Sequence, residues 1–315
     1  MTGSKGTRPP VDLDAELASF RAQGYLGPIR LYSREEMERS WKKLRLALLD
    51  RSHAVYGDET ASGNTDISNY DRHLDSNWLA EHVCHSGIVE RVRRILGPNV
   101  LCWRSEFFPK YPGDEGTDWH QADTFANVSG TPQIVWPDAQ RDFGGTVTVW
   151  TALTPSTIET GCLQFIPGTH RDMHYDEAKD IHYDPAKIGT QVKNGAQRGF
   201  FGYDYRELQI DPDWRPAEDQ AISMQLEPGE CVIFWSTLLH ASHPHLGRTD
   251  TPRIGFTSRY VPTCVRVYPD TEEVHEYGGR ISLERFGSVL VSGKDEHHHN
   301  PIATHTTRGH RFVTR

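Results

Sequence analysis

Cysteine is scarce in this chain of 315 residues. The five present (Cys84, Cys102, Cys162, Cys231 and Cys264) stand far apart, with no Cys-x-x-Cys spacing. That excludes a zinc ribbon and reads as buried thiols in a reducing cytoplasm. Positive charge is also short. Lys plus Arg is 34 against 43 for Asp plus Glu, a formal net charge of -9 at pH 7. A general phosphate-backbone binder needs the opposite balance, so no nucleic-acid partner is expected. Long apolar runs are missing too. Residues 232–235 are typical of the longest ones, so no membrane partner is expected either. Residues 1–10 are polar and lack an apolar signal core, which sets the expectation of a cytoplasmic protein. No repeat or low-complexity tract is visible.

What is present suffices for a core: 36% of residues are hydrophobic and 24% charged. The expected organisation is a single catalytic domain over 1–315. Residues 1–10 form a disordered start and 11–98 a helical N-terminal part. One helix is predicted over 13–23, between an Asp12 cap and Gly24. A second starts at the Ser33/Glu36 capping box and places Met37, Trp41, Leu44 and Leu48 on one face. A third, over 87–96, stops at Gly97-Pro98. From 99 to 268 the pattern changes to short strands (100–108, 145–153, 162–166, 230–235, 253–261) separated by turn signals. The fold class expected is mainly β with flanking helices, a sandwich or barrel. Residues 171–216 read as a lid insertion in it. Residues 269–315 read as a mostly exposed C-terminal extension.

There are 17 histidines, so a lone one means little. Two are informative. His120 follows a Gly-rich loop in Trp119-His120-Gln121-Ala122-Asp123-Thr124-Phe125, and His240 ends the apolar run 231–239. Two histidines from separate strands of a jelly roll can share a metal. In the facial-triad iron site the third ligand is a carboxylate, carried as His-x-Asp because side chains two apart share a strand face. Here that position holds Ala122, and Asp123 comes one residue late. Two readings follow. Either a bulge swings Asp123 to the metal, or a small anion such as chloride restores the missing charge and fills the missing volume. His243 and His245 flank Pro244 and are weaker rivals, and His297, His298 and His299 read as solvated tail.

Two further stretches point to a ligand. In a strand over 253–261, Arg253, Gly255, Thr257 and Arg259 share one face, and an inward arginine needs an anion. A dicarboxylate supplies one in two-pronged geometry. In 144–150, Thr146, Thr148 and Trp150 alternate with Val147 and Val149, which offers polar groups to a pocket. The basic run Arg39, Lys42, Lys43, Arg45 and Arg51 reads as a solvated helix face, with a docking patch for an acidic partner as the alternative.

With these residues in place, the chain resembles the non-heme iron, 2-oxoglutarate-dependent halogenases of nonribosomal peptide assembly lines. They are of the syringomycin type, within the phytanoyl-CoA dioxygenase-like superfamily. The stretches that carry the likeness are 107–125 (around Asp118-Trp119-His120-Gln121-Ala122), 161–169 (Gly161-Cys162-Leu163-Gln164-Phe165-Ile166-Pro167-Gly168-Thr169) and Phe234-Trp235-Ser236-Thr237 before His240. It spans about 13–310, with no departure at the motif positions. The resemblance implies a double-stranded β-helix (jelly roll, cupin-like) and Fe(II) held by His120 and His240, with chloride beside Ala122. It implies Thr117, Trp150 and Arg253 around 2-oxoglutarate, Asn127 and Thr148 beside the chloride, Glu106 and Arg259 in a water-linked network near it, and Phe201 on the substrate pocket. With O2, the implied activity is chlorination of an unactivated carbon of an amino acid. The partner it implies is an aminoacyl-loaded peptidyl carrier (thiolation) protein. A hydroxylase using Asp123 as third ligand and a non-catalytic jelly-roll binding protein are the competing readings.

Overall fold

The computed structural model describes residues 12–56, 70–126, 130–137, 145–179, 181–193, 195–276 and 279–315. The expected disordered start falls outside them, as does Asn127. Four α-helices are present among the described residues: α1 (Leu13–Gln23), α2 (Arg34–Ala47), α3 (Asn77–Val83) and α4 (Ser86–Leu96). Strands β1 (Tyr25–Arg30), β2 (Val100–Lys110), β3 (Gly116–Thr117), β4 (Ile134–Val135), β5 (Val147–Ala152) and β6 (Leu163–Phe165) are followed by β7 (Val192–Lys193) and β8 (Ala196–Gly199). Next come β9 (Ile222–Met224), β10 (Glu230–Trp235), β11 (His240–Ser242) and β12 (Arg253–Pro262). The last are β13 (Arg266–Val267), β14 (Glu273–Glu276), β15 (Gly279–Ser282) and β16 (Val289–Ser292).

The main sheet has six antiparallel strands in the order β1-β10-β5-β12-β2-β16, and a smaller sheet runs β11-β6-β9. The fold is mainly β with flanking helices, as expected, and it belongs to the cupin-like class. The central strands β5, β12 and β2 are buried on both faces. One face packs into the core through Val147, Val149, Ile254, Phe256 and Tyr260. The other carries Thr148, Trp150, Arg253, Thr257 and Arg259 into a cavity. The period of two in the sequence is therefore the division between core and cavity.

The helices form where capping chemistry and periodicity agree. Asp12 accepts from the backbone N–H of Asp14 and Ala15 at the start of α1, and Gly24 closes it in the left-handed region at φ 80°. Ser33 and Glu36 form the reciprocal capping box of α2, which buries Met37 and Leu44 and leaves Arg39, Lys42, Lys43 and Arg45 exposed. α4 buries Ile88, Val89 and Val92.

Three elements depart from the sequence expectation. Strand β1 lies in the part expected to be helical, where Gly27-Pro28 interrupts the alternation, yet it pairs with β10. Helix α3 is too short to show a periodic stripe. The extension after 268 is exposed over more than half of its described residues, as expected, but part of it is built into the fold. β16 joins the main sheet beside β2, and Val289, Val291, Phe286 and Phe312 are buried. Edge strand β2 needs a partner for its open hydrogen-bonding side, and β16 supplies it. His297, His298 and His299 are exposed, as expected.

α3 packs on the sheet through His82, which stacks on Trp78 and meets Phe256 edge-on. Its ring nitrogens face Tyr32 Oη at 2.9 Å and Thr151 Oγ1 at 3.1 Å. Burial, reinforced by His85, pushes its pKa down to about 3. The unfolded chain takes up this proton below about 6.5 and the folded chain does not, so the fold loses stability as pH falls through that window. The expected slope from His82 is on the order of 1 kcal/mol per pH unit. Urea titrations of the wild type and His82→Gln, compared at pH 6.5 and pH 4.5, should therefore show the wild type losing on the order of 2 kcal/mol more than the variant. Parallel losses would show that His82 does not titrate in this way.

Candidate active site

His120 and His240 meet across the sheet. Each backbone N–H donates to the other's carbonyl, at 3.0 and 3.1 Å, and the ring centroids lie 3.9 Å apart. Nδ1 of His120 faces the Asp118 carbonyl at 2.8 Å, and Nδ1 of His240 faces the Leu238 carbonyl at 2.7 Å. A carbonyl only accepts, so Nδ1 of both rings carries the proton and Nε2 keeps its lone pair. Burial pushes the pKa of His120 down to about 4. Burial, with His120 alongside, holds His240 well below the usual histidine range. Two neutral imidazoles with bare Nε2 atoms, oriented by backbone, are a pair that could hold a metal.

Both rings line a cavity of about 710 Å³, with Ala122 and Phe125 beside them. Asp123 does not line it. Its backbone N–H donates to Glu177, and the two acidic groups lie close enough to interact. Among the described residues, no three His, Cys, Asp or Glu side chains converge as a metal cage. Asp123 is not swung round to the cavity here; Ala122 is bonded through its N–H to Ser236 O at 2.9 Å and through its carbonyl to Ser236 Oγ at 2.6 Å.

One end of the cavity is cationic. Arg253 is 3% exposed, packs over Trp150 with its guanidinium 5.4 Å from the ring centroid, and has no partner for Nε. Gly255 makes room for that indole, since a Cβ there would fall 2.0 Å from Trp150. Lys110, opposite Arg253 in the β2–β12 register, donates to Glu115 O, Ser242 Oγ and His243 O. Burial and the nearby Arg253 push its pKa well below the usual lysine range. Ser242 Oγ donates in turn to Thr117 Oγ1 at 3.0 Å. Thr117, Trp150 and Arg253 thus line one region, where Nε of a buried guanidinium has no hydrogen-bond partner among the described residues.

On the other side of the histidines, Arg259 joins Glu106 and Thr148 directly. Its Nη2 lies 2.5 Å from Glu106 Oε2 and its Nη1 lies 3.3 Å from Thr148 Oγ1. Arg104 holds the other Glu106 oxygen at 2.7 Å and also pairs with Glu276. Burial opposes the charge on Glu106, but Arg104 and Arg259 prevail and its pKa stays low. Phe201 lines the cavity at φ 51° and packs near Phe108 and Phe200. His243 and His245 do not line it; His245 is buried against Thr251 O.

Lys110, Ser242, Phe125, Arg104, Glu276 and Glu177 were not singled out from sequence. Ser242 was within reach of pattern, being two residues beyond His240 on the same strand face. Glu276 and Glu177 come from the extension and the insertion, where no periodicity signals what a side chain meets.

A jelly roll with two neutral imidazoles and a buried guanidinium facing one cavity fits a metal-dependent oxygenase type of fold and site. The phytanoyl-CoA dioxygenase (PhyH) family model matches residues 20–255, and the chain belongs to that family. Among solved structures it is similar to CytC3 with Fe(II) and alpha-ketoglutarate, at 47% identity and TM-score 0.74 over 98% of this chain and 97% of that one. It shares the fold of a non-heme monooxygenase, the ThoJ–Ni complex, at 20% identity and TM-score 0.56 over 92% and 87% of the two chains. It shares the fold of EctD from S. alaskensis with bound Fe at 17% identity and TM-score 0.55 over 84% and 81%. No curated protein sequence matches the chain. Among the described residues, no helix is long and apolar enough to cross a membrane.

Proposed function

We propose that this protein chlorinates an unactivated aliphatic carbon of an amino acid carried as a thioester on a peptidyl carrier protein, using Fe(II), 2-oxoglutarate, O2 and chloride. The observation that carries the reading is the position of Ala122. A methyl group faces the cavity beside two metal-ready imidazoles, while the nearest carboxylate in sequence, Asp123, lies outside it. The 47%-identical structure with Fe(II) and alpha-ketoglutarate supports the metal and co-substrate.

The residues fit these groups. The Nε2 atoms of His120 and His240 would hold the iron. Arg253 would take the distal carboxylate of 2-oxoglutarate, with Thr117 and Trp150 alongside, which answers the orphaned guanidinium. Chloride would sit beside Ala122, near the Thr148 hydroxyl and the Arg259 guanidinium. When bound, iron with 2-oxoglutarate and O2 supplies the power to break a C–H bond, and halide on the metal supplies the chlorine. The balance is R–H, chloride, a proton, 2-oxoglutarate and O2 giving R–Cl, succinate, CO2 and water. The chain's own part is placement. Lys110 and Ser242 order Thr117, Glu106 orders Arg259, and Phe201, Phe125 and Phe108 shape an apolar wall that excludes water and positions the carbon.

The test is mass spectrometry of carrier proteins loaded with a panel of amino acids and incubated with the enzyme, Fe(II), 2-oxoglutarate, O2 and chloride. A chlorine isotope pattern on one or more of them is expected. A product that gains only oxygen, with chloride abundant, would contradict the reading.

A further inference from the structure

The stretch between His120 and Phe125 decides which side chain meets the metal, and one residue of the insertion grips it. Glu177 is 6% exposed. Its Oε1 accepts from the Asp123 backbone N–H at 3.1 Å, and its Oε2 accepts from the Thr124 N–H at 2.5 Å and the Thr124 hydroxyl at 2.7 Å. The two residues before are held independently of it. Gln121 Nε2 donates to Thr237 O and Asp172 O, and Ala122 is bonded to Ser236 through both backbone groups. So the backbone is locked up to Ala122 by the barrel and its flank; beyond it Glu177 holds the N–H groups of Asp123 and Thr124, while the Thr124 carbonyl accepts from the N–H groups of Gln133 and Ile134.

The Glu177 carboxylate sits where the outcome is most sensitive. Asp123 is one residue along the same segment from Ala122, so a change in the backbone turn there would redirect its side chain toward the place beside Ala122. We infer that Glu177 is a positioning residue that keeps Asp123 off the metal, and so keeps the site open to halide. This rests on the iron and halide reading above. It also assigns the insertion a task besides covering the cavity. Two partly buried backbone N–H groups would lose their acceptor without Glu177, and the segment would rearrange to satisfy them. A rearranged segment brings a carboxylate within reach of iron.

The experiment measures Fe(II) affinity anaerobically, with 2-oxoglutarate present, for the wild type, Glu177→Ala, Glu177→Gln and the double variant Glu177→Ala/Asp123→Ala. Chloride is then titrated, and the visible absorption of the iron complex is followed. If Glu177 excludes Asp123, Glu177→Ala gains about tenfold in Fe(II) affinity and its spectrum no longer responds to chloride. The second substitution reverses both changes. Glu177→Gln retains one acceptor oxygen but turns an N–H toward backbone donors, and shifts in the same direction by less; it carries the test if the alanine variant does not fold. A merely structural role predicts weaker metal binding that Asp123→Ala does not repair, and that result overturns the inference, as does unchanged affinity. The two readings fail separately. A wild type whose iron complex ignores chloride sinks the halide reading, while the Fe(II) affinities still decide whether Asp123 is held back.

Discussion

Ala122→Asp should abolish chlorination and halide binding while leaving the protein folded and iron-loaded. Ala122 lines the cavity beside both imidazoles and is 7% exposed, so an added carboxylate has one direction available. Tethered there, its effective concentration exceeds that of free chloride, in the millimolar range or above. The new ligand also restores the negative charge that halide would contribute, which removes the electrostatic reason for halide to enter. Chlorinated product should fall by about 100-fold or more, a loss of about 3 kcal/mol or more in productive binding. Hydroxylated product need not replace it, because the apolar wall still places the substrate carbon for chlorine transfer. Product analysis by mass spectrometry, with iron content measured on the same sample, checks this. Chlorination retained at wild-type level in an iron-loaded variant would refute the placement of halide at residue 122.

Arg253→Leu should cut 2-oxoglutarate affinity by about 100-fold, the loss of about 3 kcal/mol expected when one partner of a buried charge pair is removed. The same substitution should raise the stability of the protein in the absence of co-substrate. Arg253 is buried with no hydrogen-bond partner at Nε, and burial pushes its pKa down to about 10, the mark of a cation held at a cost. Lys110 beside it adds like charge. An apolar side chain of similar volume removes that cost. A titration of 2-oxoglutarate by calorimetry and a thermal melt without it make a two-sided test. Weaker binding with a higher melting temperature is the expected pair. Unchanged affinity would remove Arg253 from the co-substrate site, and a large drop in melting temperature would show that the guanidinium is structural.

The division between what was readable in the sequence and what was not follows the physics of each element. Strand faces are periodic, so Arg253, Thr257 and Arg259 could be placed together before any coordinates, as could Thr148 and Trp150. Helix ends carry chemistry, so Asp12 and Gly24 marked both ends of α1, and Ser33 with Glu36 marked the start of α2, to the residue. His120 and His240 lie 120 residues apart, and pattern alone made them only candidates. It took the barrel to bring their rings to 3.9 Å. The partners of Glu106 were half visible. Arg259 was in view from its strand, and Arg104, two residues before Glu106 on β2, was within reach of the same period; Glu276, which pairs with Arg104, required knowing that the C-terminal hairpin reaches the cavity. Glu177 and Lys110 had no signal, because their roles depend on which backbone groups a loop leaves open. The pairing of β16 within the extension escaped the sequence for a related reason. A polar segment with few apolar residues still finds a place when a sheet edge needs covering, as β16 covers β2.

The central claim is that a halide takes the position a protein carboxylate would otherwise hold. It is tested most directly by anomalous diffraction at the bromine edge from an anaerobic crystal loaded with Fe(II), 2-oxoglutarate and bromide. A bromine peak at bonding distance from iron, next to the Ala122 methyl group and opposite no protein carboxylate, is the expected result. An iron site with no halide peak, or with the Asp123 carboxylate bonded in its place, would contradict it.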